Sequence, residues 1–336
     1  MKFSSQKGKL TTPPTCQPAS YGVKRAGGWV PLDAPFILPT KSLCTPLFSK
    51  IDKVAREPLL YIMLRQGQIR VGNQTSCTAA SPGLPFGYAI AGGFDTFEWF
   101  PDKKEWGQGW LEDDISPTER TNIRKKAAQQ KITLSVHAPL VVNPLRGETY
   151  DAFVNTVRFA LDIGAVLINI HLFNHEGMER YVQALEPYIK HTAELNLKLS
   201  IENTPDISPD DVNRAFELIG ALKHIPTDHV GMCFDIGHAN IFDHTRNDYI
   251  RYITTIQPHV NIIHIHMHEN YGDWDRHLPI FTGPAGNNPT GITAFVAEMK
   301  RRNFSGSIIM EQWPQQPYLL NNARDRLLAI FNDDNV

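Results

Sequence analysis

The chain has 336 residues, 33 Lys+Arg against 35 Asp+Glu and 42% hydrophobic residues, enough to bury one large core. No window approaches the ~20 uninterrupted apolar residues of a membrane span, and MKFSSQKGKLTTPP has no apolar stretch of signal-peptide type, which disfavours a membrane or Sec-exported protein. Four widely spaced cysteines (Cys16, Cys44, Cys77, Cys233) form no C-x-x-C, so neither a disulfide scaffold nor a cysteine zinc knuckle is expected, and a reducing, cytoplasmic setting fits.

Residues 1–62 hold 8 of the 24 prolines and 9 Lys+Arg against 3 Asp+Glu, net +6. They show no helical or alternating apolar pattern and read as an extended or disordered N-terminal extension, to which no chemistry is assigned. A targeting peptide or a true start at Met63 are the alternatives, although the prolines would break a targeting helix. Taking 9 and 3 from 33 and 35 leaves 24 and 32, so residues 63–336 carry net −8. An acidic body disfavours nucleic acid, whose binding rests on cations against phosphate.

From residue 69, β-branched runs alternate with helical patterns. The expected strands are 69–75, 94–100, 132–138, 166–172, 198–203, 230–236, 261–267 and 305–311. Between them, Ser116-Pro117-x-Glu119 and Ser208-Pro209-Asp210-Asp211 read as capped helix starts, and Gly164 as a helix stop. The strands rarely alternate apolar with polar, as expected of a parallel sheet covered on both faces. Eight βα units over residues 69–331 match the ~250 residues of a (β/α)8 TIM barrel. An open doubly wound sheet is the runner-up, but GNQTSCTAASPG lacks its G-x-G-x-x-G turn.

The active site of such a barrel lies at the C-terminal ends of its strands. Glu98, His137, His171, Glu202, Asp235, His266 and Glu311 end strands two to eight, and from His137 to His266 the gaps are 34, 31, 33 and 31 residues, one βα unit each. These side chains are expected to converge on one mouth. Imidazole and carboxylate brought together suit a divalent ion such as Zn²⁺, Mn²⁺ or Co²⁺, which offsets the repulsion among the carboxylates. His238 follows Asp235 as D-x-x-H, and Asp275 and His277 form D-x-H, spacings that let a short loop present two groups to one ion. His175, His191, His224, His229, His244 and His259 read as ordinary hydrogen-bonded histidines. Pro289 with Gly283, Gly286 and Gly291 marks a loop, either one that closes over the mouth or a plain surface loop.

In order along the chain, VHAPLVVNP (136–144), His171 in INIHLF, IENTP (201–205), CFDIGHANI (233–241), HIHMHENYGDWDRHLPIFTGPAG (264–286) and IIMEQW (308–313) resemble the xylose isomerase-like TIM barrel superfamily. This group includes sugar phosphate isomerases/epimerases and the endonuclease IV group. The resemblance covers about residues 69–331 and implies that Glu202, Asp235, His266 and Glu311 hold a shared metal. It further implies, for the nuclease group, a second ion on His137, His171 and bridging Glu202, and a third on His238, Asp275 and His277. His264 and His268 share a strand face with His266, which is chosen by its match to H-x-x-(D/E)-N. HLF at the fourth strand, Leu140 after HAP, and HMHEN depart from the nuclease pattern, and HMHEN resembles the isomerase-like members.

The expectation is therefore a divalent-metal-dependent isomerase or epimerase of a sugar or sugar phosphate, using one to three Zn or Mn ions. Glu202 and Glu311 would move the proton, and Glu98 and Asn203 would bind hydroxyls. Trp99, Trp274 and Trp313 would pack on the sugar or belong to rim or core. The alternatives are a zinc-dependent phosphodiesterase acting on abasic DNA and a non-catalytic metal-binding barrel. A carbohydrate is the expected partner and homo-oligomerisation is possible.

Overall fold

Each β-branched run forms a strand. In the computed structural model, which describes residues 69–75, 79, 81–103, 107–313 and 316–336, these are β1 (Arg70–Gln74), β2 (Thr96–Trp99), β3 (Thr133–His137), β4 (Leu167–His171), β5 (Lys198–Glu202), β6 (Val230–Asp235), β7 (Ile262–Met267) and β8 (Ser307–Met310). The expected extension over 1–62 lies outside the described residues, as do Cys16, Cys44 and Cys77. All neighbouring strands pair parallel, and β8 closes on β1 to complete an eight-stranded barrel.

Among the described residues, ten helices return the chain from strand to strand or lie in the loops: α1 (Gly83–Gly92), α2 (Pro117–Gln130), α3 (Tyr150–Ile163), α4 (Met178–Glu194), α5 (Pro209–Gly220), α6 (Ile236–Ile241), α7 (Tyr249–Thr255), α8 (Pro284–Asn287), α9 (Thr290–Arg301) and α10 (Tyr318–Phe331). The predicted starts of α2 and α5 are reciprocal capping boxes. The Ser116 hydroxyl accepts from the Glu119 amide at 3.3 Å while Glu119 accepts from the Ser116 amide at 2.9 Å, and Ser208 and Asp211 repeat the pattern at 3.0 and 3.1 Å. Gly164 ends α3 at φ 77, a left-handed position that suits glycine. The glycine loop after β7 is largely helical, because Pro284 and Thr290 start α8 and α9. Among the described residues, no helix is long and apolar enough to cross a membrane.

One expectation about the strands is corrected. They do alternate: Phe97, Trp99, Leu134, Val136, Ile168, Ile170, Leu199, Ile201, Ile265 and Met267 join the apolar core, where Trp99 meets Phe159 of α3 and Phe97 meets Phe86 of α1. The intervening residues face the lumen and are mostly polar, as two bonds between strands that are not neighbours demonstrate: Thr96 to Ser307 at 2.9 Å and Glu98 to His264 at 2.8 Å. The lumen of this barrel is lined by hydrogen-bonding side chains, so a period of two appears even in a sheet covered by helices.

Candidate metal centre

The upper tier of the lumen is built by register. Parallel pairing sets His171 beside Glu202 and Asp235 beside His266, so alternate positions of consecutive strands carry these groups to one level. One ligand atom from each of Glu202, Asp235, His266 and Glu311 lies within 4.8 Å of the others. His266 Nδ1 is 3.1 Å from Glu202 Oε2, 3.6 Å from Glu311 Oε2 and 4.0 Å from Asp235 Oδ2.

The outer predicted ligands join the same cluster. His137 Nε2 is 3.3 Å from Glu202 Oε2, and His171 Nε2 is 3.7 Å from Glu202 Oε1. His238 Nε2 is 3.4 Å from Asp275 Oδ2, and His277 Nε2 is 2.8 Å from the same oxygen. The D-x-x-H spacing works because Asp235 caps α6: its Oδ1 accepts from the His238 amide at 2.6 Å, which turns the chain at the end of β6. The D-x-H pair is carried back over the mouth by a two-way backbone bridge between Glu269 and Leu278, at 2.8 and 3.0 Å. Glu269 pins the far end of this loop by accepting from the Gly283 and Ala285 amides at 2.6 and 2.9 Å.

Glu98 and Asn203, expected to bind hydroxyls, are both fully buried and occupied elsewhere. Glu98 lies one tier below, accepting from Ser135 at 2.9 Å and facing His264 at 2.8 Å, while its Oε1 faces His266 Nε2 at 2.8 Å. That contact turns Nδ1 of His266 toward the carboxylates, as a carboxylate behind a metal-ligating histidine does. The Asn203 side chain clasps the backbone of Asp235, donating at 3.0 Å and accepting at 2.9 Å. Trp99 is core, Trp313 packs on Tyr88, and Trp274 is 57% exposed. His191, His224, His229 and His259 have polar partners outside the cluster.

His268, expected on one strand face with His266 but not as a ligand, joins the cluster. Its Nε2 is 3.3 Å from Asp235, 3.5 Å from Asp275 and 3.9 Å from Glu311, and its ring stacks on His277 at 4.1 Å. The alternation of His264 and His266 along β7, continued by His268 one residue past its end, is the signal for it. Asn169, which donates to Glu202, had none.

Burial and mutual field set the charges. Burial opposes ionisation of Glu202, but His266 and His171 outweigh it and hold the carboxyl well below the usual range. Glu311 goes the other way: burial pushes it up to about 7. Burial also pushes His171 down to about 3. His277 is raised to about 10 against the effect of burial by its bond to Asp275. Glu202 Oε1, Asp235 Oδ2, His266 Nδ1, Glu311 Oε2, His137 Nε2 and Asp275 Oδ1 are buried without a hydrogen-bond partner. So many unpartnered acceptors aimed at one volume are costly alone and fit a divalent ion of the borderline N/O-binding type.

Residues 86–329 match the model of a family described as xylose isomerase-like TIM barrel. Uncharacterized protein MJ1311 of Methanocaldococcus jannaschii is 23% identical over 220 residues, covering 59% of this chain and 70% of the other. Among solved structures, a D-tagatose 3-epimerase-like protein superposes with a TM-score of 0.60 at 19% identity, covering 80% of this chain and 100% of its own. Endonuclease IV from Thermus thermophilus superposes with a TM-score of 0.55 at 17% identity, covering 78% and 98%. At these identities the likeness is one of fold.

Proposed function

This chain belongs to the xylose isomerase-like TIM barrel family, and from that premise we propose that it is a divalent-metal-dependent isomerase or epimerase of a small sugar or sugar phosphate. The observation that carries this reading is geometric: two carboxyls from different strands face one imidazole nitrogen of the cluster. Glu202 Oε2 and Glu311 Oε2 lie 3.1 and 3.6 Å from His266 Nδ1. Two carboxyls flanking one site are suited to be base and acid of one proton transfer.

Glu202, Asp235, His266 and Glu311 would hold the ion. When bound there, such an ion would supply Lewis-acid polarisation of a carbonyl next to the C–H to be deprotonated. Glu202 accepts that proton, and Glu311 returns one to the other carbon or the other face. Glu98 and Asn203 act as positioning residues, the first on His266 and the second on Asp235. Beside the D-x-H pair, Trp274 is 57% exposed, with the Arg276 guanidinium 4.7 Å over its ring, and offers an apolar surface for a polyol.

A second reading, phosphodiester hydrolysis at an abasic site, is favoured by the convergence of His137 and His171 on Glu202 and of His238 and His277 on Asp275. Among the described residues, two arginines in the loops after β6 and β7 are neutralised, Arg246 by Asp243 and Arg276 by Asp273, which weakens this reading. The test is a panel of ketoses and ketose phosphates in deuterated water with Mn²⁺, Co²⁺ or Zn²⁺, run beside an abasic duplex. Exchange of a proton next to the carbonyl in at least one sugar is expected. Cleavage of the duplex with no exchange in any sugar overturns the isomerase reading.

A further inference from the structure

The opposite end of the barrel carries charges that the mouth chemistry does not use. At the N-terminal starts of the strands, Arg70 of β1 and Lys198 of β5 line one cavity of about 310 Å³, together with Thr133, Ser135, Ser307 and His264. Among the described residues, no aspartate or glutamate lines it. Arg70 is only 9% exposed. Among the described residues, neither the Arg70 guanidinium nor the Lys198 ammonium has a hydrogen bond or ion pair.

An arginine this deep is ordinarily paired, because removing a cation from water without a partner is costly. Here the nearest compensation is indirect. Asp95 acts on Arg70 from beyond ion-pair distance, and its field is shared with Arg324. Lys198 adds to the problem: burial and the field of Arg70 both lower its pKa. Two cations that repel each other across a cavity with no acid in its described lining, and only Asp95 acting from outside it, define a region of positive potential. The cavity has about ten times the share of liquid volume that one water takes, so it can admit a small ion with part of its water.

We propose that this floor cavity is a binding site for a small oxyanion of the phosphate or sulfate type, held between the Arg70 guanidinium and the Lys198 ammonium. The guanidinium presents a fork of donors that matches two oxygens of such an ion, the ammonium supplies a point charge, and the Thr133 hydroxyl adds a neutral donor. The other hydroxyls of the wall are engaged: Ser135 donates to Glu98, Ser307 shares a bond with Thr96, and Ser305 has a partner of its own. Ser135 and His264 form the boundary with the tier above, where both contact Glu98. The site is thus distinct from the mouth and does not depend on the reaction proposed for it.

The test is calorimetric titration of the full-length protein with inorganic phosphate at constant ionic strength, with metal content measured on the same samples. Saturable binding of one phosphate per chain is expected. Lys198→Met and Arg70→Met are each expected to weaken it about tenfold or more, the loss of one charge-assisted contact, with metal content unchanged. Glu202→Gln, which alters the mouth, is expected to leave phosphate affinity within about twofold. Lys198 is partly exposed at the start of its strand, so Lys198→Met carries the test if Arg70→Met does not fold. Absence of saturable binding, or wild-type affinity in Lys198→Met, overturns the proposal, as does loss of binding in Glu202→Gln alone.

Discussion

Replacing Glu311 by glutamine should shift stability in opposite directions in metal-free and metal-loaded protein. The Glu311 side chain is 5% exposed, its Oε2 has no hydrogen-bond partner, and burial raises its pKa from 4.5 to about 7. Since the folded pKa is raised, the group imposes no penalty below about pH 4.5, where it is protonated folded or unfolded. The penalty grows between 4.5 and 7 and is constant above. At 1.36 kcal/mol per unit, its ceiling is about 3 kcal/mol. Glutamine keeps the shape and removes the charge, so at pH 8 and without metal Glu311→Gln is expected to be more stable than wild type by about 1–3 kcal/mol. Much of that gain should be gone at pH 5. With excess Mn²⁺ or Zn²⁺ the order should reverse, because wild type offers a carboxylate that binds the ion only in the folded state. Urea unfolding followed by circular dichroism, at both pH values with chelator or metal, measures all four differences. A metal-free Glu311→Gln protein less stable than wild type at pH 8 would refute the idea that this carboxylate is held at a cost for a cation.

Glu98→Gln should lower metal affinity about 10- to 100-fold, because Glu98 holds the far nitrogen of His266; competition with a chromophoric chelator measures this, and unchanged affinity would exclude the positioning role. Gly237→Ala places a methyl carbon 1.9 Å from His268 Cε1, so it should displace that ring and weaken metal binding while circular dichroism stays native. Wild-type affinity in this variant would show that His268 is no ligand. Elemental analysis should find one ion per chain if only the Glu202, Asp235, His266 and Glu311 set is used, and two or three if the outer histidines bind as well. In the latter case His171→Ala should remove one ion.

Much of the fold was legible because its signals are local. A strand is recognised by β-branched residues, a helix start by Ser-Pro with a carboxylate two residues on, and a helix stop by glycine such as Gly164, all within a few residues of chain. The 31- to 34-residue spacing of the strand-end polar groups then carries the register, since one βα unit separates each from the next. The lumen and core faces of a strand are not separated by the apolar content of a whole run. Only closure of the barrel shows that Ser135, Asn169 and Ser200 line a polar interior while their neighbours meet helices. The same holds for the roles of Glu98 and Asn203. Their residue types suited a sugar, but Glu98 meets His264 across 166 residues of sequence. Which side chain touches which depends on how strands remote in sequence are brought to one level, and spacing along the chain holds no record of that. The amino-acid order thus specified the units and the donors at their ends, and the closed sheet decided which donors converge on one volume and which merely hold the others in place.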